Sequence, residues 1–252
     1  MTQISIADLL KTSRQYFWNL DFTEVEVPYL NSSLPLEPNL YTFKVKDWYL
    51  PASPEFALKE YLAKNKQNCF SVAHCFRDLE SVGSHHSPEF LMLEYYLVNK
   101  NLIDLQKSLE EYLKIFLPDL KFSELKLKNL SFDNEPDFNQ YFLNEVEPTL
   151  PKDSAVFITG YPSFLSPLAI PNQRFELYIN GVEIANGCEE NRDAEQIKAA
   201  FLKEQSYRQQ NHLPLHPISD KFIQDCAALP PCSGLGLGLN RLLMVINQKT
   251  SI

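Results

Sequence analysis

The chain has 252 residues, 44% of them hydrophobic and 12% aromatic, with a formal net charge of −9. That length suits one large domain or two small ones, and the apolar share is too rich for a disordered chain. The acidic balance excludes non-specific coating of nucleic acid, which needs many Lys and Arg side chains on phosphates, and five scattered cysteines without a C-x-x-C pair exclude a disulfide framework and favour a reducing, cytoplasmic setting.

Ser5 is placed to cap a helix whose apolar face is Ile6, Leu9, Leu10, Tyr16, Phe17 and Leu20, with Asp8 near its positive end. Its basic residues, Lys11 and Arg14, come late, unlike those of a signal peptide. Residues 23–27 alternate as a half-buried strand closed by Pro28, and 31–39 read as a proline-rich loop. A helix follows over 54–64 with Pro54 in its first turn. Residues 69–77 and 89–98 read as strands joined by a segment that holds Gly83, Ser84, His85 and His86. A helix covers 102–116, and 118–172 is weakly patterned. Residues 175–179 and 182–185 flank Asn180-Gly181, a strong signal for a two-residue hairpin turn. A polar helix covers 193–210, and Pro230-Pro231 leads into a glycine-rich strand followed by a helix. The longest apolar stretch, 235–246, is interrupted by Asn240 and Arg241 and is too short to span a bilayer, so no membrane association is expected. Hairpins with helices between them predict an α+β fold, an antiparallel sheet flanked by helices, as a single domain over 1–252.

Alternation across the hairpin puts Glu176, Tyr178 and Glu183 on one face and Phe175, Leu177, Ile179, Val182 and Ile184 on the other, with Tyr178 opposite Glu183 and Leu177 opposite Ile184. The apolar face is core. The two carboxylates on the other face repel one another unless a cation lies between them, and Mg²⁺ with one or two carboxylates and a phosphate suits them; an ordinary solvated sheet face is the alternative. On the strand 89–98, Phe90, Met92, Glu94 and Tyr96 share a face, with Phe90 and Glu94 ~13 Å apart at ~3.3 Å per residue. That spacing fits a nucleotide base at one end and an extended amino-acid side chain at the other. Arg77 shares its face with the small residues Ser71, Ala73 and Cys75, which leave room for a ligand. Gly234, Gly236 and Gly238 do not form a dinucleotide fingerprint, because Leu239 stands where its third glycine is needed. They are read as permitting close backbone approach, with Arg241 beside them as an anion clamp. His85 and His86 have no third metal ligand nearby in sequence.

In this order the constellations resemble the catalytic domain of class II lysyl-tRNA synthetases, and more closely the free-standing paralogues that attach lysine or β-lysine to elongation factor P. The likeness covers nearly the whole chain. FTEVEVPYL (22–30) resembles motif 1, Cys75 to Arg77 with SPEF (87–90) motif 2, and Gly236-Leu237-Gly238-Leu239-Asn240-Arg241 motif 3. SPEFLMLEYY (87–96) and FELYINGVEIANG (175–187) resemble the lysine subclass in particular.

The resemblance implies ATP and Mg²⁺, a homodimer built on motif 1, and no anticodon-reading OB domain. It implies that Arg77 bridges the ATP α-phosphate and the amino-acid carboxylate, that Phe90 stacks on adenine, and that Arg241 holds the γ-phosphate. Glu176 and Glu183 would ligate Mg²⁺, and Glu80 and His86 would join the ATP contacts. Glu55 would take the α-ammonium, and Glu94, Tyr96 and Glu190 the ε-ammonium, with Asn186 and Gly236 beside them. Alternation alone would put Asn186 on the apolar face, so a twist or bulge is expected there. Between Arg77 and Phe90 the chain is one residue longer than the pattern, which leaves Leu79 or Glu80 for its acid, Glu80 being preferred. Asn240 replaces the usual Asp, Cys188 a larger residue, and the stretch 98–173 is short. The β-lysine-using paralogues tend to carry alanine where Gly236 stands. The reaction implied is formation of an aminoacyl-adenylate and transfer to an elongation factor P lysine. Charging of tRNA or another acceptor, and a non-catalytic lysine- or nucleotide-sensing paralogue, are the alternatives.

Overall fold

The computed structural model describes residues 3–38, 40–78, 86–127, 132 and 135–249. In chain order the elements are α1 (Ile6–Asn19), β1 (Thr23–Glu24), β2 (Lys44–Val45), β3 (Trp48–Tyr49), α2 (Glu55–Asn65), β4 (Cys69–Phe76), β5 (Glu89–Val98), α3 (Leu102–Lys114), β6 (Phe122–Lys126), α4 (Glu135–Tyr141), β7 (Ala155–Thr159), β8 (Ala169–Ile179), β9 (Val182–Glu190), α5 (Ala194–Gln210), α6 (Asp220–Ala228), β10 (Cys232–Gly238) and α7 (Leu239–Ile246). Eight strands form one sheet in the order β1-β4-β5-β10-β9-β8-β7-β6. It is antiparallel except at its margins, where β1 pairs with β4 and β6 with β7 in parallel. The α+β reading holds.

Helix α1 starts where its cap dictates. Ser5 Oγ accepts from the Asp8 amide at 3.1 Å, and the Asp8 carboxylate accepts from the Ser5 amide at 3.1 Å, a reciprocal capping box. Its buried side is Leu9, Ser13 and Phe17; Leu20 lies past the helix end and is half exposed, contrary to the apolar face expected for it. Phe17 stacks on Phe70 of β4 with centroids 5.0 Å apart and packs on Tyr95 of β5 at 4.8 Å. This core, joined by α3 and α7, covers one face of the sheet. The strand expected over 23–27 is only two residues long; the Val25 amide makes a last bond to the Phe70 carbonyl at 2.8 Å, and the chain leaves the sheet after it. The weakly patterned stretch 118–172 holds β6, α4 and β7, whose Val156 and Ile158 pack against Phe138 and Phe142. Helix α6, unmarked in the sequence reading, packs Phe222 against Phe56 and Phe201.

The hairpin turn is as expected, with Asn180 and Gly181 both at positive φ (54° and 79°). The register past it is not: Tyr178 faces Glu183, but Leu177 faces Ala185 rather than Ile184, so Ile184 is the extra residue of a bulge. That shift sets Asn186 opposite Glu176 and answers the conflict that strict alternation posed.

Candidate active site

The sheet face away from the main core carries a cavity of about 310 Å³, lined from β4–β5, β8–β9, β10 and the start of α7. Phe90, Met92, Glu94 and Tyr96 line it together, as period-two alternation along β5 requires. Arg77, His86, Glu55, Glu183, Asn186, Glu190, Gly236 and Arg241 line it too. Glu176 is absent from this lining, and Glu80 lies outside the described residues.

Charge is divided along the cavity. At the acidic end, Glu94 accepts from the Tyr96 hydroxyl at 2.8 Å, and Lys59 lies 2.7 Å from both Glu55 and Glu190. Burial, then the charge of Glu55, pushes the Glu94 carboxyl well above the usual carboxylate range. Burial also raises Glu190, with Lys59 opposing it. For Lys59 burial works against the charged form, but Glu190 and Glu55 prevail and hold its ammonium well above the ordinary lysine range. Cys188 donates its thiol to Glu190 at 3.6 Å, so the smaller residue here is a polar neighbour of the acidic end.

At the arginine end, Arg241 donates to the Glu183 carboxylate at 3.2 Å and to its carbonyl at 3.0 Å. The Arg77 guanidinium lies 5.2 Å from the Phe90 ring centre, and its Nε donates to the Ala52 carbonyl at 3.4 Å. Arg174 donates to Glu176 and, at 3.2 Å, to Asn186, with its guanidinium 4.6 Å from the Tyr161 ring centre. Glu176 also accepts from the hydroxyls of Tyr161 at 2.6 Å and Tyr178 at 3.1 Å. Its carboxylate is thus held from three sides. Burial, then the charge of Glu176, raises the Glu183 carboxyl.

Glycines shape the wall. A Cβ on Gly234 would lie 2.3 Å from the Tyr96 ring, so this position admits no side chain without moving Tyr96. A Cβ on Gly236 would meet Met92 at 3.2 Å from Sδ and 3.7 Å from Cε, the end of a flexible side chain, and Glu94 Oε2 at 3.9 Å. Asn240 is explained by its contact: its side-chain oxygen accepts from the Leu91 amide at 2.7 Å, a bond that an aspartate would make equally.

Sequence reasoning missed four members. Lys59 follows Glu55 by four, the helical spacing for an ion pair. Arg174 precedes Glu176 by two, on the same strand face. Tyr161 gave no local signal. Glu37 comes from the loop read only as polar; burial, then Glu55, pushes its carboxyl up to about 7 against Lys59, Arg174 and Arg77. The loop is fixed by Arg208 of α5, fully buried, which donates to the carbonyls of Glu37 at 2.6 Å and Leu40 at 3.0 Å.

A family profile of tRNA synthetases class II (D, K and N) matches residues 4–252. The chain is 30% identical to the elongation factor P–(R)-β-lysine ligase of Buchnera aphidicola subsp. Acyrthosiphon pisum, across 98% of this chain and 94% of that protein. Proteins of the same name from Pseudoalteromonas translucida and Proteus mirabilis are each 29% identical, covering 98% and 96% of this chain and 91% of theirs. A match over nearly the full sequence, on a sheet whose one face carries this acid-and-arginine cavity, means that the chain belongs to the class II tRNA synthetases of the D, K and N group.

Proposed function

We propose that the protein is a ligase that activates lysine or β-lysine with ATP and transfers it to a lysine side chain of elongation factor P, the activity its relatives are named for. The observation that carries this reading is the polarity of one cavity. Glu55, Glu94 and Glu190 converge at one end from α2, β5 and β9, while Arg77, Arg174 and Arg241 line the other. A neutral amino acid would leave these three acids, among the described residues, with Lys59 as the one cation between Glu55 and Glu190 and none beside Glu94, which is costly.

In this reading an oxygen of the amino-acid carboxylate attacks the α-phosphorus of ATP, and pyrophosphate leaves with the electron pair of the broken P–O bond. Arg77 sits between carboxylate and phosphate, Phe90 under the base with His86 nearby, and Arg241 on the terminal phosphate. The acceptor amine then attacks the adenylate's carbonyl carbon. An amide forms, AMP leaves, and the amine gives up a proton. Positioning and charge neutralisation supply the acceleration, and no protein nucleophile is required.

A divalent cation fits the donor set. Glu183 is raised by burial and by Glu176, a condition that a nearby cation relieves. Among the described residues no three His, Cys, Asp or Glu cluster as a cage, so the ion would lean on phosphate oxygens. Glu183 would hold Mg²⁺, joined by Glu176 once Arg174 turns to a phosphate. Bound there, Mg²⁺ supplies positive charge against the phosphates.

The test is ATP–pyrophosphate exchange over an amino-acid panel with both β-lysine enantiomers, followed by intact-mass measurement of elongation factor P. Exchange driven by lysine or β-lysine, and a mass gain of one lysyl unit, are expected. Charging of tRNA with elongation factor P unmodified would replace this reading with the second, which the family's own description favours. The reading includes a homodimer through the half-exposed Trp18, Leu20, Tyr29 and Leu30. An active monomer in sedimentation would remove that part.

A further inference from the structure

Lys59 has no exposed surface and is not part of the cavity wall. Its neighbours along the buried side of α2 are Leu58 and Leu62. A lysine at such a site is an expensive way to fill space, since an apolar side chain of similar volume serves packing as well or better. What the lysine adds is a charge between two acids that come from separate elements, Glu55 at the start of α2 and Glu190 at the end of β9, each 2.7 Å away. The Phe222 ring of α6 closes the far side, 5.7 Å from the ammonium.

We infer that Lys59 is a positioning residue for the acidic end: its ammonium, from behind the wall, clamps Glu55 and Glu190 at a fixed separation and presents both toward a substrate that carries two ammonium groups. The ligand in this inference rests on the proposed lysine reading; the clamp itself does not. The groups facing it are Glu55 on its own helix, Glu190 and Cys188 on β9, Cys226 on α6, Glu94 on β5, Cys232 on β10, and Glu37 from the loop before β2. These are acids or thiols, and Lys59 is the cation common to them. Burial raises Glu190, and Lys59 is the largest influence in the other direction, so its removal drives that carboxyl further toward the protonated form.

The experiment compares the wild type with Lys59→Met, Lys59→Arg and the double variant Lys59→Met, Glu190→Gln. Carboxyl-¹³C glutamate NMR, titrated over about pH 5 to 10, reads the clamp without any ligand. Pyrophosphate exchange gives KM for lysine and for ATP across the same range. In Lys59→Met one buried carboxyl, assigned by its loss in the double variant, is expected to titrate higher than in the wild type. KM for lysine should rise about 100-fold at neutral pH while KM for ATP moves less than about threefold, and the lysine deficit should shrink as pH rises. Lys59→Arg should restore much of the loss. An unchanged carboxyl titration, or equal losses for lysine and ATP, overturns the inference. If Lys59→Met does not fold but the double variant does, an unpaired buried charge was the fault and the clamp stands. If neither folds, Lys59 is packing and the clamp falls. If the wild type ignores lysine and both β-lysines, the proposed function falls instead, and the carboxyl titration still decides on Lys59.

Discussion

At the acidic end of the cavity Lys59 sits 2.7 Å from two carboxylates with none of its surface exposed, whereas at the arginine end Arg241 meets Glu183 at 3.2 Å and keeps 23% of its side chain exposed. Arg174 and Glu176 are intermediate, each 13% exposed and packed beneath Tyr161. At the first end the cation itself is sealed behind the wall, with no competitor from solvent; at the other Arg174, Arg241 and Glu183 line the cavity, where a phosphate can take the guanidinium and a cation the carboxylate. In the proposed function the same chemistry would serve two ends: a fixed clamp where a substrate's charge must be matched, and exchangeable pairs where charge moves during a reaction. Strength follows from burial as much as from distance, since low dielectric raises both the attraction and the cost of losing a partner.

The largest test of the contrast is Arg77→Ala. In the proposed mechanism Arg77, at the arginine end, touches both the carboxylate and the phosphate, and its loss should lower pyrophosphate exchange by about 10³-fold or more, through kcat rather than through either KM alone. A loss confined to the KM for ATP would make Arg77 a nucleotide contact only. Glu94→Gln comes next. It should raise KM for lysine by about 30- to 100-fold and leave KM for ATP nearly unchanged; a matched loss for both substrates would mean that the ends are not separable.

The same carboxyl gives a pH signature. Burial and Glu55 raise its pKa in the empty site, so it holds a proton over a window that extends above the usual carboxylate range. An incoming ammonium favours the anion. Binding must therefore release a proton, and lysine affinity must increase as pH rises through the raised pKa. Calorimetry in buffers of different ionisation enthalpy measures this directly, and the release should vanish in Glu94→Gln.

A smaller effect is expected at the other end from Tyr161→Phe. The variant removes a 2.6 Å bond to Glu176 and leaves its carboxylate freer to leave Arg174. The Mg²⁺ concentration for half-maximal activity should fall about threefold to fivefold, the worth of one hydrogen bond. No shift would place Glu176 outside the exchangeable set. Asn240→Asp should do least. The bond to the Leu91 amide survives the change, so activity within about twofold of wild type is expected.

Legibility in the sequence followed the reach of each signal. Helix α1 was readable because cap, acid and apolar stripe lie within a few turns, and β5 because its side chains alternate without interruption from Phe90 to Tyr96. Arg77, Phe90, Glu94 and Arg241 were found because each sits in a short patterned segment. Lys59–Glu55 and Arg174–Glu176 close locally and went unread, whereas the remaining contacts that hold the site close over long stretches of chain. Lys59 to Glu190 joins helix to distant strand, and Arg208 reaches back to the carbonyl of Glu37. The strand expected over 23–27 ended early for a similar reason: its partner β4 pairs with Thr23 and Glu24 and takes one last bond from Val25, and the ladder does not extend to the alternation beyond. The segment 118–172 hid a strand because β7 is buried along its whole length and shows no polar alternation.

The extra residue at Ile184 carries a consequence for insertions and deletions. Ile184 is itself buried, and a core substitution such as Ile184→Val would be expected to touch stability alone. Its deletion is a different event. It would restore plain alternation to β9 while leaving Ala185 opposite Leu177 and Asn186 opposite Glu176, so Asn186, Cys188 and Glu190 keep the cavity side. The faces change only if Ile184 is kept and drawn into the ladder opposite Leu177, which would turn Ala185, Gly187 and Glu189 toward the cavity; relatives one residue shorter at this point should therefore keep the same pocket.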